Sequence, residues 1–222
     1  MWDSSSKGER GGVWLWAAFS TVLLFLLEFI LFASFIPSEW SRSIAETEAG
    51  WLVATHGPES AAAMQARATA WYDVLFVETG IAPWTYHLVA SGPGVEPGVG
   101  LEPLVESPIW TWLKGRLDVI WGAFAQALQR LVMLVAWWPF LAILLPAAVV
   151  DGWLRRRIRQ HGFVYASPLI HHAALSILFS LWIGAGLLLF APIPIPALAV
   201  PALCGLTALL VDIALTNAQK RL

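Results

Sequence analysis

The stretch "VVDGWLRRRIRQHGFVYASPLIHH", Val149 to His172, packs Arg155, Arg156, Arg157 and Arg159 into five positions. Long apolar runs stand on both sides of it. A short basic connection between two hydrocarbon-length runs is the pattern of a loop kept on the cytoplasmic face of a membrane. Its reading therefore sets both the fold class and the orientation of the chain.

The rest of the composition agrees. Of 222 residues 58% are apolar and 13% charged, with fourteen tryptophans, where a soluble domain carries about 25% charge. Apolar runs of the length needed to cross about 30 Å of hydrocarbon recur. Nothing alternates as barrel strands do, and backbone groups in lipid must bond internally, so the expected fold is all-α and polytopic. The single cysteine, Cys204, excludes an internal disulfide framework.

Four spans are expected. Residues 13–36, "VWLWAAFSTVLLFLLEFILFASFI", exceed a signal-peptide core and show no small-x-small cleavage site, which reads as an uncleaved anchor. The second span closes the segment 119–150, with Leu131 to Val150 its most apolar part. The third covers 168–191 and the fourth 197–215, joined by "APIPIP", a turn rather than a helix interior. Lys7 and Arg10 in the tail 1–12, the arginines of the hairpin 151–167, and Lys220 and Arg221 in the tail 216–222 then share one side. The segment 37–118 opposes four basic residues to ten acidic ones. Both termini and the hairpin are expected in the cytoplasm, with a helical exported segment between the first and second spans.

In that segment two helices are expected from Ser38 to Glu78, broken at "HGPE". The second should bury Ala61, Met64, Ala68, Trp71 and Leu75 along one face. "SGPGVEPGVGLEP", Ser91 to Pro103, reads as a linker. From Pro108 to Arg130 an amphipathic helix sets Trp112, Leu117, Trp121, Phe124 and Leu128 against Thr111, Lys114, Asp118, Gly122, Gln126 and Gln129. It runs into the second span either as one projecting helix or as an interfacial helix that bends. Trp137, Trp138 and Pro139 suggest a kink.

Several residue sets invite a functional reading. The arginines serve as a topology signal, as an anchor for anionic lipid at about 1 kcal/mol per basic residue, or as a docking surface for an acidic partner. Four charges without a fold around them give no sequence-specific nucleic-acid recognition. Glu28 and Asp212 lie inside spans. An arginine of the hairpin can reach Asp212, and Arg130 can reach Glu28; such ties compete with a proton or ion pathway. Adjacent His171 and His172 diverge by about 100° on a helix and cannot clamp one metal from one face. Ser176, Ser180 and Gly184 in one span, and Cys204, Ala208 and Asp212 in the next, form small-residue stripes that let helices approach, within the chain, in a homo-oligomer or toward another subunit. No catalytic motif, metal set or cofactor-binding loop is present.

The order of elements, with "LPAAVVDGWLRRRIRQHGFVYASPLIHHAA" at its centre, resembles the integrating conjugative element membrane protein family. Pro146, Asp151, Gly152, Arg155, Arg159, Phe163 to Ser167 and a following histidine, His171 or His172, carry the likeness. The resemblance implies a non-enzymatic component of the bacterial inner membrane in a type IV secretion system for conjugative DNA transfer. Its implied partners are other subunits of the apparatus, the coupling ATPase among them. A small transporter working through Glu28 and Asp212 is the alternative, and a lipid-directed enzyme using His171 and His172 a remote third.

Overall fold

In the computed structural model every described element is helical. The description covers residues 19–24, 27, 35–91, 108–161 and 167–218. Glu28, most of the first apolar run, the glycine- and proline-rich linker, the tail 1–12, and Lys220 and Arg221 lie outside it.

Ser38–His56 (α1) and Pro58–Tyr72 (α2) form the expected pair. Gly57 divides them at φ +80, a left-handed backbone that suits glycine, and Pro58 occupies the first helical turn, where its missing N–H costs nothing. Ala61 and Ala68 are buried as expected, but Leu75 is 48% exposed. The reason is a π-turn, Asp73–Val77, closed by the Glu78 N–H on the Asp73 carbonyl at 2.8 Å. Its wider winding advances the buried face by one residue. Phe76 takes the place expected of Leu75, with ring centroids 5.4 Å from Tyr72, 5.3 Å from Trp121 and 5.2 Å from Phe124. Gly80, at φ +79, then turns the chain into Ile81–Ser91 (α3).

Pro108–Ala136 (α4) and Trp138–His161 (α5) follow. The run Leu131 to Val150, expected as one span, is divided between them at Trp137. Pro139 supplies no N–H and crowds the residue before it, so regular winding stops there. The break is local: the Trp137 N–H reaches the Met133 and Leu134 carbonyls at 3.3 and 3.2 Å, and the Trp137 carbonyl accepts from Leu141 at 3.2 Å. Pro168–Leu188 (α6) and Ala199–Thr216 (α7) complete the chain.

Among the described residues four helices are long and apolar enough to cross a membrane: Trp110–Ala136, Trp138–His161, Pro168–Leu188 and Ala199–Thr216. The number matches the expectation but the set differs, because α4 joins it while the run 13–36 falls largely outside the description.

Two groups of helices result. In the first, α4 packs against α1, α2 and α3. The face it buries is only partly the one expected, since Trp121 and Leu128 are buried as expected but polar positions join them. Val119, Ala123, Gln126, Arg130 and Met133 are buried, while Trp112 and Leu131 are exposed. The polar stripe thus turns partly inward toward α1 and α2. In the second, α7 is the common partner of α5 and α6. It runs parallel to α5, with Gly152 beside Asp212 and Arg159 beside Asn217, and antiparallel to α6, with His171 beside Ala214. Leu52, Ala61, Met133, Ala197 and Val200 form the apolar cluster that joins the groups.

Candidate functional site

The densest polar site lies where the groups meet. α6 ends at Leu188, leaving carbonyls without helical donors. The following turn contains Pro192, Pro194 and Pro196, none of which has an N–H to offer. Arg130 of α4 supplies the missing donors. Its Nη1 donates to the carbonyls of Leu188, Leu189 and Ala191 at 2.5, 3.0 and 3.0 Å, and its Nη2 to that of Ile193 at 2.8 Å.

The charge of Arg130 is met by Glu48 of α1. Nη2 reaches Oε1 at 2.6 Å, and Nε donates to both carboxylate oxygens at 3.1 and 3.2 Å. Glu48 also accepts from the Ile195 N–H at 2.8 Å and from Gln126 Nε2 at 3.3 Å. The two charged side chains are only 5% and 8% exposed. Trp40 of α1 adds an indole N–H bond to the Pro192 carbonyl at 3.1 Å. Burial of a charge is tolerated when pairing and hydrogen bonding are complete, as here. The expectation that Arg130 pairs with Glu28 is therefore corrected: its partner is Glu48, and Glu28 lies outside the described residues.

Glu48 was hidden among ten acids of a segment read only for its net charge. Its signal was positional. Ser41, Ile44, Glu48 and Leu52 recur at helical spacing, which sets a carboxylate between two aliphatic residues on one face, and all four are buried.

The opposite end of α5 carries the arginines. They occupy its last turns rather than a loop, since α5 runs to His161. Arg155 bonds Asp151 at 2.7 Å one turn earlier and Asp212 of α7 at 3.4 Å. Arg159 Nη1 donates to Asn217 Oδ1 at 3.1 Å. The Arg157 guanidinium lies 4.2 Å from the Trp153 ring centroid, a cation–π contact. The four arginines thus divide their work: two tie α5 to α7, one is held by its own helix, and Arg156 is half-buried beside them.

Asp212 is buried, faces Arg155, and receives the Thr216 hydroxyl at 3.5 Å. That is the environment of an interhelical tie. His171 does the same for α6, with Nδ1 2.7 Å from the Ala214 carbonyl, while His172 is exposed and its ring stands edge-on to that of His171. Gly152 earns its place by proximity. A Cβ there would lie 2.9 Å from the Asp212 carbonyl oxygen and 2.9 Å from Leu215 Cβ.

The two small-residue stripes separate. Cys204, Ala208 and Asp212 are all buried in α7. Ser176 and Ser180 are exposed and Gly184 has open space beside it; α6 meets α7 through Ala174, Leu178 and Leu181 instead. Ser180 and Gly184 line an apolar cavity of about 500 Å³ between α4, α6 and α7. Among the described residues no group of three or more His, Cys, Asp or Glu side chains is arranged to hold a metal ion.

Compared with known proteins, residues 32–222 match a family described as IncC plasmid conjugative DNA transfer protein DtrJ-like. No curated protein and no solved structure matches the chain.

Proposed function

Because the chain belongs to the DtrJ-like family of conjugative DNA-transfer proteins and is a membrane-associated component of such a system, we propose that it is a non-enzymatic assembly subunit of the bacterial inner membrane whose basic α5 end docks the coupling ATPase. In this reading both termini and the α5 end are cytoplasmic, and α1 to α3, with the part of α4 packed on them, are exported. Glu39, Arg42, Glu46, Glu59 and Arg67 on α1 and α2 weigh against placing those helices in hydrocarbon. The turn between α6 and α7 is bound to α1 through Glu48 and so belongs on their side.

The observation that carries the proposal is the held set of guanidinium groups. Asp212 and Asn217 of α7, with Trp153 of α5, fix three of the four in place. A pre-positioned set loses less side-chain freedom on meeting carboxylates than free arginines would. Anionic lipid meets the same surface when no partner is there.

The test separates docking from folding. Arg156→Glu with Arg157→Glu reverses charge without cutting the Arg155 and Arg159 ties to α7. The tagged variant, extracted gently from its host, should reach the membrane at the normal level but lose the coupling ATPase from the material that co-purifies. Undiminished recovery of the ATPase would sink the docking role.

A further inference from the structure

α1 runs in the same direction as α4 and keeps level with it. Ser41 lies beside Gly122, Glu48 bonds Gln126 and Arg130, and Leu52 clusters with Met133. Last, the rings of His56 and Trp137 meet edge-on at 5.9 Å. The tip of the α1–α2 hairpin therefore reaches the break between α4 and α5. It goes no further, because Gly57 and Pro58 turn the chain back into α2.

That level has a meaning on the rod that α4 and α5 form. Charged side chains are costly in hydrocarbon, which sets Arg155 at one face of a bilayer that α5 crosses. About 30 Å of hydrocarbon takes about 20 residues of helix at about 1.5 Å each, so the other face meets the rod close to Trp137. Two observations agree. Trp138, 65% exposed, stands where tryptophans gather at a membrane–water boundary. Just beyond Trp137, Arg130 and Glu48 keep their charges together and close the end of α6 at Leu189.

The outer surface of the hairpin changes character along its length. Toward Ser38, α1 exposes Glu39, Arg42 and Glu46. From Ala49 to Pro58 the chain reads "AGWLVATHGP", with no carboxylate, lysine or arginine, and Trp51, Val53, Ala54 and Thr55 are exposed. α2 has Glu59 in its first turn and then no charge until Arg67. A surface that sheds its charge and presents a tryptophan where it comes level with a bilayer boundary is fitted to lie in that boundary. Glu59 limits the depth, since a carboxylate stays among headgroups rather than entering hydrocarbon.

We infer that the tip of the α1–α2 hairpin is seated in the headgroup layer of the bilayer, with Val53 at the edge of the acyl chains and Trp51 among the headgroups. The partner of this surface is phospholipid, the same solvent that meets the exposed Trp138 and Phe140 at the start of α5. With no lysine or arginine at the tip, zwitterionic lipid suffices. The inference rests on the reading that α5 crosses the membrane, and is independent of what the arginines dock. It gives the exported helices a hold on the membrane besides the rod itself.

The experiment uses the full chain with Cys204→Ala and one introduced cysteine carrying a nitrobenzoxadiazole dye, reconstituted in phosphatidylcholine nanodiscs. Val53→Cys and Glu46→Cys lie on one face of α1, two turns and about 10 Å apart. Ile143→Cys, at a position 76% exposed on α5, reports on hydrocarbon. Phosphatidylcholine spin-labelled near the top of its acyl chains should quench the dye at residue 53 and spare it at residue 46. Iodide in the water should do the reverse. Lipid labelled deep in the chain should quench the dye at residue 143. Trp51→Glu with Val53→Glu should melt as the parent does in detergent, and should abolish the lipid quenching of a dye on Thr55→Cys.

Iodide quenching at residue 53 equal to that at residue 46 overturns the inference. So does protection of residue 53 from both quenchers, which would mean that a second copy of the chain covers the tip. Lipid quenching at residue 143 but not at residue 53 removes the seating alone. Loss of lipid quenching at residue 143 as well removes the α5 span, and the seating falls with it.

Discussion

The helices on the two sides of Trp137 belong to one nearly continuous rod, yet they are built for different surroundings. In α4, 44% of the most apolar window is buried within the protein; in α5 the figure is 11% and in α6 6%. α4 covers itself with α1 and α2 and spends polar side chains on the contact. α5 and α6 leave Ile143, Ile158, Leu169 and Phe179 open and draw their packing from one shared neighbour, α7. A helix that keeps its apolar side chains outward and packs on a single neighbour is suited to lipid, where burial of oil in oil gains little. A helix that hides an arginine needs protein around it. The comparison shows that hydrophobicity alone does not sort these helices, because both halves of the rod pass as membrane-crossing lengths.

The comparison breaks first at Arg130. Replacing it with alanine strands the Glu48 carboxylate and four carbonyls of the proline turn, and cutting a buried pair of this kind costs about 3–5 kcal/mol. Thermal unfolding in detergent should register the loss, with Glu48→Ala similar and the double variant far from additive. An Arg130→Ala protein that melts with the wild type would show that the two halves are not joined there.

The next effect tests the lipid-facing half. Gly152→Ala forces a methyl into the backbone of Asp212 and should cost about 1–3 kcal/mol, the range for overpacking. Gly184→Ala, one helix away, meets nothing within 4 Å and should leave the melting point unchanged or raise it. Equal sensitivity at the two glycines would contradict the close α5–α7 approach.

A smaller difference lies inside the first group. Phe76→Ala removes a ring that touches three other aromatic side chains and should cost more than Leu75→Ala, which should stay within about 0.5 kcal/mol. The reverse order would mean that α2 continues as a regular helix through residue 77.

The smallest effect is a pH dependence. Burial, and then the hydrogen bond to Asp118, push the Tyr86 hydroxyl above its ordinary value of 10.0. Tyr86 therefore gives up its proton more reluctantly folded than unfolded. Its contribution is complete below pH 10 and falls away as pH rises toward the folded value. Melting curves between neutral pH and pH 11 should show a decline that Tyr86→Phe reduces. An identical decline in both proteins would assign it elsewhere.

Much of this was legible in the residues. The break at His56–Gly57–Pro58, the kink at Trp137, and the contact between an arginine of the hairpin and Asp212 follow from local chemistry: a glycine where φ is positive, a proline without an N–H, a carboxylate near the end of a span. The family could be read from the stretch around Asp151 and Arg159. What stayed hidden depended on partners distant in sequence. Nothing beside Arg130 announces that its acceptors lie some sixty residues later in a turn made of prolines, or that its counter-ion lies eighty residues earlier. The π-turn was invisible for a different reason. Periodicity assumes constant winding, and one inserted residue moved the face from Leu75 to Phe76 without changing composition. The inward polar face of α4 was misjudged because a polar stripe was equated with water.

The proline turn also orders events during synthesis. Its carbonyls need Arg130, and its single bonded N–H at Ile195 needs Glu48, so both partners are made long before the turn itself. Every side chain that bonds the turn is thus already synthesised when the last hairpin emerges. A fragment beginning after Trp137 would contain every lipid-facing helix of the second group and still lack the donor that its own loop requires. The earlier half of the chain thus carries the guanidinium, the carboxylate and the indole to which the turn between the final two helices is bonded.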